Sequence, residues 1–160
     1  MSASEPVPDP VEDGGLDEFG GAVGGGSVRT IRAPFHPESV AKIRRALVAD
    51  LQARDVAEDV VDEAEIVASE LLANSLRHAS PLLDGAIRIR WKVKGDLVDL
   101  EVTDGGGETV PKPAPRVLWA ASGRGLRIVR SLAHEWGVTE DKRGITVWAA
   151  LGGPSRRRSV

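Results

Sequence analysis

The sequence predicts an α+β fold: a two-layer sandwich in which a mixed, mostly antiparallel sheet carries three helices on one face. Three observations carry that expectation. Strand-like stretches come in hairpin pairs, helix-like stretches are grouped, and the order along the chain reads β-α-α-β-β-loop-α-β-β. The chain has 160 residues, 41% of them apolar, which suffices for one genuine core.

The first strand is expected over 28–35, where Val28, Thr30 and Ala33 alternate loosely with Arg29 and Arg32. From 37 to 54 the positions Val40, Ile43, Leu47, Val48 and Leu51 recur at helical spacing, and Pro37 suits a first helical turn. A second helix is expected over 58–79, with Val60, Ala64, Val67, Leu71 and Leu72 on its apolar side and Ser80-Pro81 ending it. Residues 86–93 read AIRIRWKV, a strict alternation that describes a strand with one wet face. Gly95-Asp96 turns the chain into a partner strand over 97–103. After a Pro-rich, irregular stretch, Ile128, Val129, Leu132 and Ala133 predict a third helix over 126–136. Residues 138–140 and 145–151 close a last hairpin through the DKRG turn.

Composition narrows the chemistry. With no cysteine and three histidines, there is no disulfide framework, no thiolate nucleophile and no zinc site. Charge is uneven. Residues 1–28 hold six acids, Glu5, Asp9, Glu12, Asp13, Asp17 and Glu18, with no Lys or Arg, while the net charge of the whole chain is −3. Seven of the 18 glycines and three of the 10 prolines also fall there, so 1–28 is expected to be a disordered acidic tail. The folded domain is expected over 29–153, followed by a basic tail, 154–160. Nothing is basic enough to make nucleic acid the main ligand. No apolar run is long enough to span a membrane, and the N-terminus lacks the basic-then-apolar order of a signal peptide. The expected compartment is the cytoplasm.

Four places carry candidate chemistry. In Ser69-Glu70-Leu71-Leu72-Ala73-Asn74-Ser75-Leu76-Arg77-His78-Ala79, Glu70 and Asn74 are four apart and so share a helix face. A carboxylate there can deprotonate a hydroxyl, and an amide oxygen can ligate a hard cation such as Mg²⁺. Glu70 also lies among apolar residues, which a merely solvated glutamate avoids. At the end of the third strand, Asp104-Gly105-Gly106-Gly107 offers an acceptor for an exocyclic amine beside glycines that allow a flat ligand close approach. An ordinary Asp-Gly turn has the same sequence. Ser122-Gly123-Arg124-Gly125-Leu126 leads into a helix start, where free N–H groups favour an anion; it also reads as a simple helix cap. Thr146, in Gly144-Ile145-Thr146-Val147-Trp148, presents either a hydroxyl for a base or a good strand former.

In this order and spacing the four places resemble the Bergerat-fold, or GHKL, ATPases, and look most like the anti-sigma-factor serine/threonine kinases of actinobacterial type. The resemblance covers about 29–151. SELLANSLRHA looks like the family's N-box, TDGGG its first glycine box, SGRGLRIV its second and GITVW its last adenine-side strand. The resemblance implies ATP and Mg²⁺ as cofactors. Glu70 would be the general base and Asn74 the metal ligand. Asp104 would read adenine beside Gly106, with Thr146 supporting the same edge. Gly123 and Gly125 would shape the lid, about 107–122, and bring the helix start at Leu126 to the phosphates, with Arg124 between them as a phosphate contact. Arg77 and His78 would stand at the family's basic positions. The implied partners are a sigma factor and an anti-anti-sigma protein of the STAS type, and relatives often form homodimers. One residue departs from the pattern: Glu108 stands where the first glycine box usually has its second glycine. It motivates an alternative, a nucleotide-gated binding module without significant phosphotransfer.

Overall fold

Strands β1 (Val28–Pro34), β2 (Ala86–Lys94), β3 (Leu97–Asp104), β4 (Glu135–Glu140) and β5 (Ile145–Gly152) form one sheet in the order β1-β2-β3-β5-β4. They are seen in a computed structural model that describes residues 15–107 and 124–153. Every neighbouring pair among these strands is antiparallel, so the sheet is simpler than the mixed one expected. β2–β3 and β4–β5 are hairpins joined by short turns, antiparallel by construction, while β1–β2 and β3–β5 are antiparallel across long connections.

Helices α1 (Pro37–Ala53), α2 (Glu58–His78) and α3 (Arg124–Leu132) complete the second layer. Pro37 opens α1, and the His36 Nδ1 caps it by accepting the Glu38 N–H at 3.2 Å. The buried positions of α1, among them Ile43, Leu47 and Leu51, recur every three or four residues and face the sheet. The α2 residues Val60, Ala64, Val67 and Leu71 do the same, against Ile31, Ile89, Leu100, Val102 and Val147. Burying each large aliphatic side chain contributes about 1.5–3 kcal/mol, so this interface holds the layers together.

Two expectations change. The third helix stops at Leu132 rather than 136, because the His134 N–H already bonds to the Ala150 carbonyl at 3.0 Å and Trp136, on β4, pairs with Ala149 of β5. Trp136 and Val138 alternate on a strand and pack against the core. Second, residues 15–27, assigned by composition to a tail, fold onto the domain. Asp17 takes a two-pronged ion pair from Arg29, Phe19 packs against the core, and the Gly24 N–H donates to Asp50 at 2.6 Å. Burial pushes the Asp17 carboxyl up, but the Arg29 guanidinium and the N–H groups of Gly21 and Phe19 outweigh it and hold the carboxyl below its ordinary range. The remaining tail residues, 1–14 and 154–160, lie outside the described residues, as do Glu108, Gly123 and nearly all of the expected lid.

Candidate functional site

The C-terminal half of α2 runs beside the end of β3, and the two are stitched together. Asn74 and Ser75 are each 1% exposed although both are polar. Ser75 Oγ donates to Asp104 Oδ2 at 2.6 Å, and the Gly106 N–H donates to Asp104 Oδ1 at 2.8 Å. Beyond the helix, Ser80 accepts the Gly105 N–H at 2.7 Å and donates its own N–H to the Gly106 carbonyl at 2.9 Å. A Cβ at Gly105 would collide with the Pro81 carbonyl, and one at Gly144 would collide with the Asp104 carbonyl. Gly106 is buried with φ +78°, a backbone conformation that favours glycine. Three glycines therefore let the backbones of β3, β5 and the α2 exit approach one another around one carboxylate.

That carboxylate is unusual. Asp104 is 1% exposed and no cation bonds to it among the described residues. Burial pushes its pKa above the ordinary carboxylate value of 3.8, and the bonds from Ser75 and Gly106 only partly oppose this. Among the described residues each oxygen accepts one hydrogen bond, while an ionised carboxylate has about four acceptor sites. Asp104 thus retains acceptor capacity in a desolvated place, where a donor such as an exocyclic amine gains most.

On α2, Glu70 is half-buried and lies one turn, about 6 Å, before Asn74. Arg77 Nη2 donates to Asn74 Oδ1 at 2.7 Å, so the amide oxygen expected to meet a metal is engaged by a guanidinium. Arg77 and His78 are exposed at the helix end. Arg124, Gly125 and Leu126 form the first turn of α3, which packs on α2. A cleft of about 260 Å³ opens between Gly105–Gly107 and the β4–β5 turn at Asp141–Gly144.

Thr146 is not brought to this site. The register pairs Asp104 with Ile145 and Thr103 with Thr146, and successive strand residues face opposite sides. Thr146 Oγ1 therefore bonds to Thr103 Oγ1 at 2.7 Å on the face away from the helices. Ile145 takes the place beside Asp104, with its Cδ1 3.3 Å from where a Gly106 Cβ would stand. Counting in twos from the core residue Val147 would have shown this. Sequence reasoning also passed over Ser75, whose only signal is its place next to Asn74 on a buried helix face.

The glycine cradle and the buried acceptor fit a flat, amine-bearing ligand. For Mg²⁺ the donor set is sparse: no group of three His, Asp or Glu side chains that could hold a metal ion occurs among the described residues. Magnesium delivered with a nucleotide is held largely by phosphates and water, and one amide oxygen suits that role. No described helix is long and apolar enough to cross a membrane. A family model described as the histidine kinase-like ATPase domain matches residues 33–151. No curated protein matches the chain.

Proposed function

The chain belongs to the histidine kinase-like ATPase domain family, and from that premise we propose that it is an anti-sigma factor with Mg-ATP-dependent protein serine/threonine kinase activity. Family membership supports the coarser statement, an ATP-binding regulatory protein. The observation that carries the reading is the convergence of α2 and β3, which sets buried Asp104 one residue from the Glu70/Asn74 face through Ser75.

In this reading Asp104 accepts the adenine amino group, and the close backbone packing that Gly105 and Gly144 allow holds its carboxylate in place. Glu70 takes the proton of an acceptor hydroxyl as its oxygen bonds to the γ-phosphorus. The bond from that phosphorus to the β,γ-bridging oxygen breaks, and ADP leaves. Asn74 would be the side chain that holds Mg²⁺ brought in with the nucleotide, and the ion would supply positive charge against the triphosphate. The acceptor is a serine or threonine of an anti-anti-sigma protein of the STAS type, and the protein works in the cytoplasm, with homodimerisation as a further part of the reading.

The alternative, a nucleotide-gated module without significant phosphotransfer, is favoured by one contact: Arg77 occupies the Asn74 oxygen that metal binding requires. Radiolabel transfer from γ-labelled ATP to the cognate acceptor separates the two. Transfer is expected from the wild type and is expected to fall at least ~10²-fold in Glu70→Gln with nucleotide binding kept. Transfer that survives Glu70→Gln would remove Glu70 as base. Nucleotide binding with no transfer by the wild type would establish the alternative.

A further inference from the structure

The face of the sheet turned away from the helices carries its side chains in lateral rows set by strand register. One row crosses all five strands as Arg32, Arg88, Thr103, Thr146 and Thr139. It holds two guanidiniums and three hydroxyls, and no acid. The next row mixes signs, with Arg90 3.6 Å from Glu101, so the all-donor row stands apart at the Asp104 end of the sheet. Arg32 sits directly opposite Arg88, and like charges directly opposite on neighbouring strands are destabilising unless an anion covers them.

A pocket of about 260 Å³ opens beside this row. Four cationic side chains line it: Arg32, Arg88, Lys142 and Arg143. Its acid, Asp84, has its Oδ2 taken by two bonds from Arg32, at 2.9 and 2.7 Å. The Asp141 carboxylate nearby is turned into its own loop, accepting the Arg143 N–H at 2.7 Å. Leu82 and Leu83 add an apolar wall, and Leu83 is fully exposed. Cations beside exposed aliphatic surface fit an acidic peptide with interspersed apolar residues.

We propose that this face docks the chain's own acidic segment, residues 1–14. That segment carries Glu5, Asp9, Glu12 and Asp13 with no Lys or Arg, and Val7 and Val11 among them. The stretch that follows already does the same thing: Asp17 pairs with Arg29 at 2.8 Å and Glu18 with Arg45 at 2.8 Å. Reach is ample. From Arg29 to Arg32 is three strand residues, about 10 Å, while 14 extended residues span up to about 46 Å. Because β1 is an edge strand, the segment rounds it without crossing another strand.

Zero-length carbodiimide coupling of the full-length protein tests this, since it joins a carboxylate only to an amine in contact with it. Peptide mapping of the monomer is expected to find Lys142 joined to Glu5 or Asp9, the acids far enough from Gly15 to round β1 and reach it. The yield should fall severalfold at 1 M salt, where the screening length drops to about 3 Å, and severalfold in Arg88→Glu, whose fold is checked by circular dichroism. Coupling of Lys142 to Glu140 or Asp141 alone would overturn the proposal, as would coupling confined to a dimer, which assigns the face to a second copy. In a second measurement, the full-length variant with Glu5, Asp9, Glu12 and Asp13 changed to their amides is titrated with the synthetic 1–14 peptide. Saturable binding is expected. Tighter binding of a polyglutamate peptide of equal length would give the face to an acidic partner instead.

Discussion

Asp50 and Asp104 are both aspartates at 1% exposure, yet they are built in opposite ways. Asp50, on α1, accepts the Trp91 Nε1–H at 2.6 Å, the Gly24 N–H at 2.6 Å and the Arg54 Nε–H at 2.9 Å. Arg54 in turn holds the carbonyls of Gly25 and Gly26, so one carboxylate ties α1, β2 and the 15–27 segment together. Asp104 has a hydroxyl and one backbone N–H, and no bonded cation among the described residues. A buried carboxylate with a guanidinium and several donors is a structural tie. One buried without a cation costs stability, and a ligand that donates to it recovers part of that cost. The contrast separates the candidate site, at the C-terminal end of β3, from a structural tie on α1.

The comparison breaks most visibly at Asp50. Asp50→Ala leaves the Trp91 N–H, the Gly24 N–H and the Arg54 guanidinium without their acceptor, and is expected to cost about 3–5 kcal/mol in urea unfolding. A loss below about 1 kcal/mol would mean the network is not a tie. Asp104→Asn should behave differently. Its native pKa is raised, so the native state holds the proton more tightly than the unfolded chain. The stability Asp104 contributes is therefore complete below the ordinary value of 3.8 and is lost as pH rises through the raised native value. Measured against pH, the wild type should lose stability relative to Asp104→Asn as pH climbs from about 4. Parallel profiles would refute the desolvated carboxylate.

Smaller changes sharpen the same contrast. Ser75→Ala removes a hydrogen bond that favours the ionised form of Asp104 and is expected to cost about 1.5–2 kcal/mol once Asp104 is ionised, less in acid, where it is protonated. A cost that did not change with pH would detach Ser75 from the Asp104 ionisation. Thr146→Val should cost only about 0.5–1 kcal/mol, through the Thr103 hydroxyl, and should leave nucleotide affinity unchanged. A tenfold loss of affinity in that variant would restore Thr146 to the adenine edge and contradict the register reading.

What the sequence made legible follows from how local each signal is. AIRIRWKV and the turn at Gly95-Asp96 specify a hairpin within a few residues, and the helical spacing of Ile43, Leu47 and Leu51 needs no distant partner. The places of Glu70 and Asn74 on one helix and of Asp104 at a strand end were legible because their spacing and the glycines after Asp104 form patterns along the chain. Trp136 misled because an apolar residue after Leu132 and Ala133 suits either period until the pairing of His134 with Ala150 decides it. Thr146 misled by type: a period of two counted from the core residue Val147 sends it to the far face, and the register then sets Ile145 beside Asp104. The folding of residues 15–27 was invisible to composition, because Asp17, Glu18 and Gly24 find their partners on Arg29, Arg45 and Asp50, on separate elements.

Calorimetric titration of Mg-ATP into the wild type and into Asp104→Asn tests the central claim most directly, that the buried Asp104 carboxylate reads a nucleotide. The wild type is expected to bind, and the asparagine variant, folded and no less stable at neutral pH, to bind at least ~10-fold more weakly, the equivalent of about 1.4 kcal/mol. Equal affinity in the two proteins, or no binding by the wild type at millimolar ATP, would contradict it.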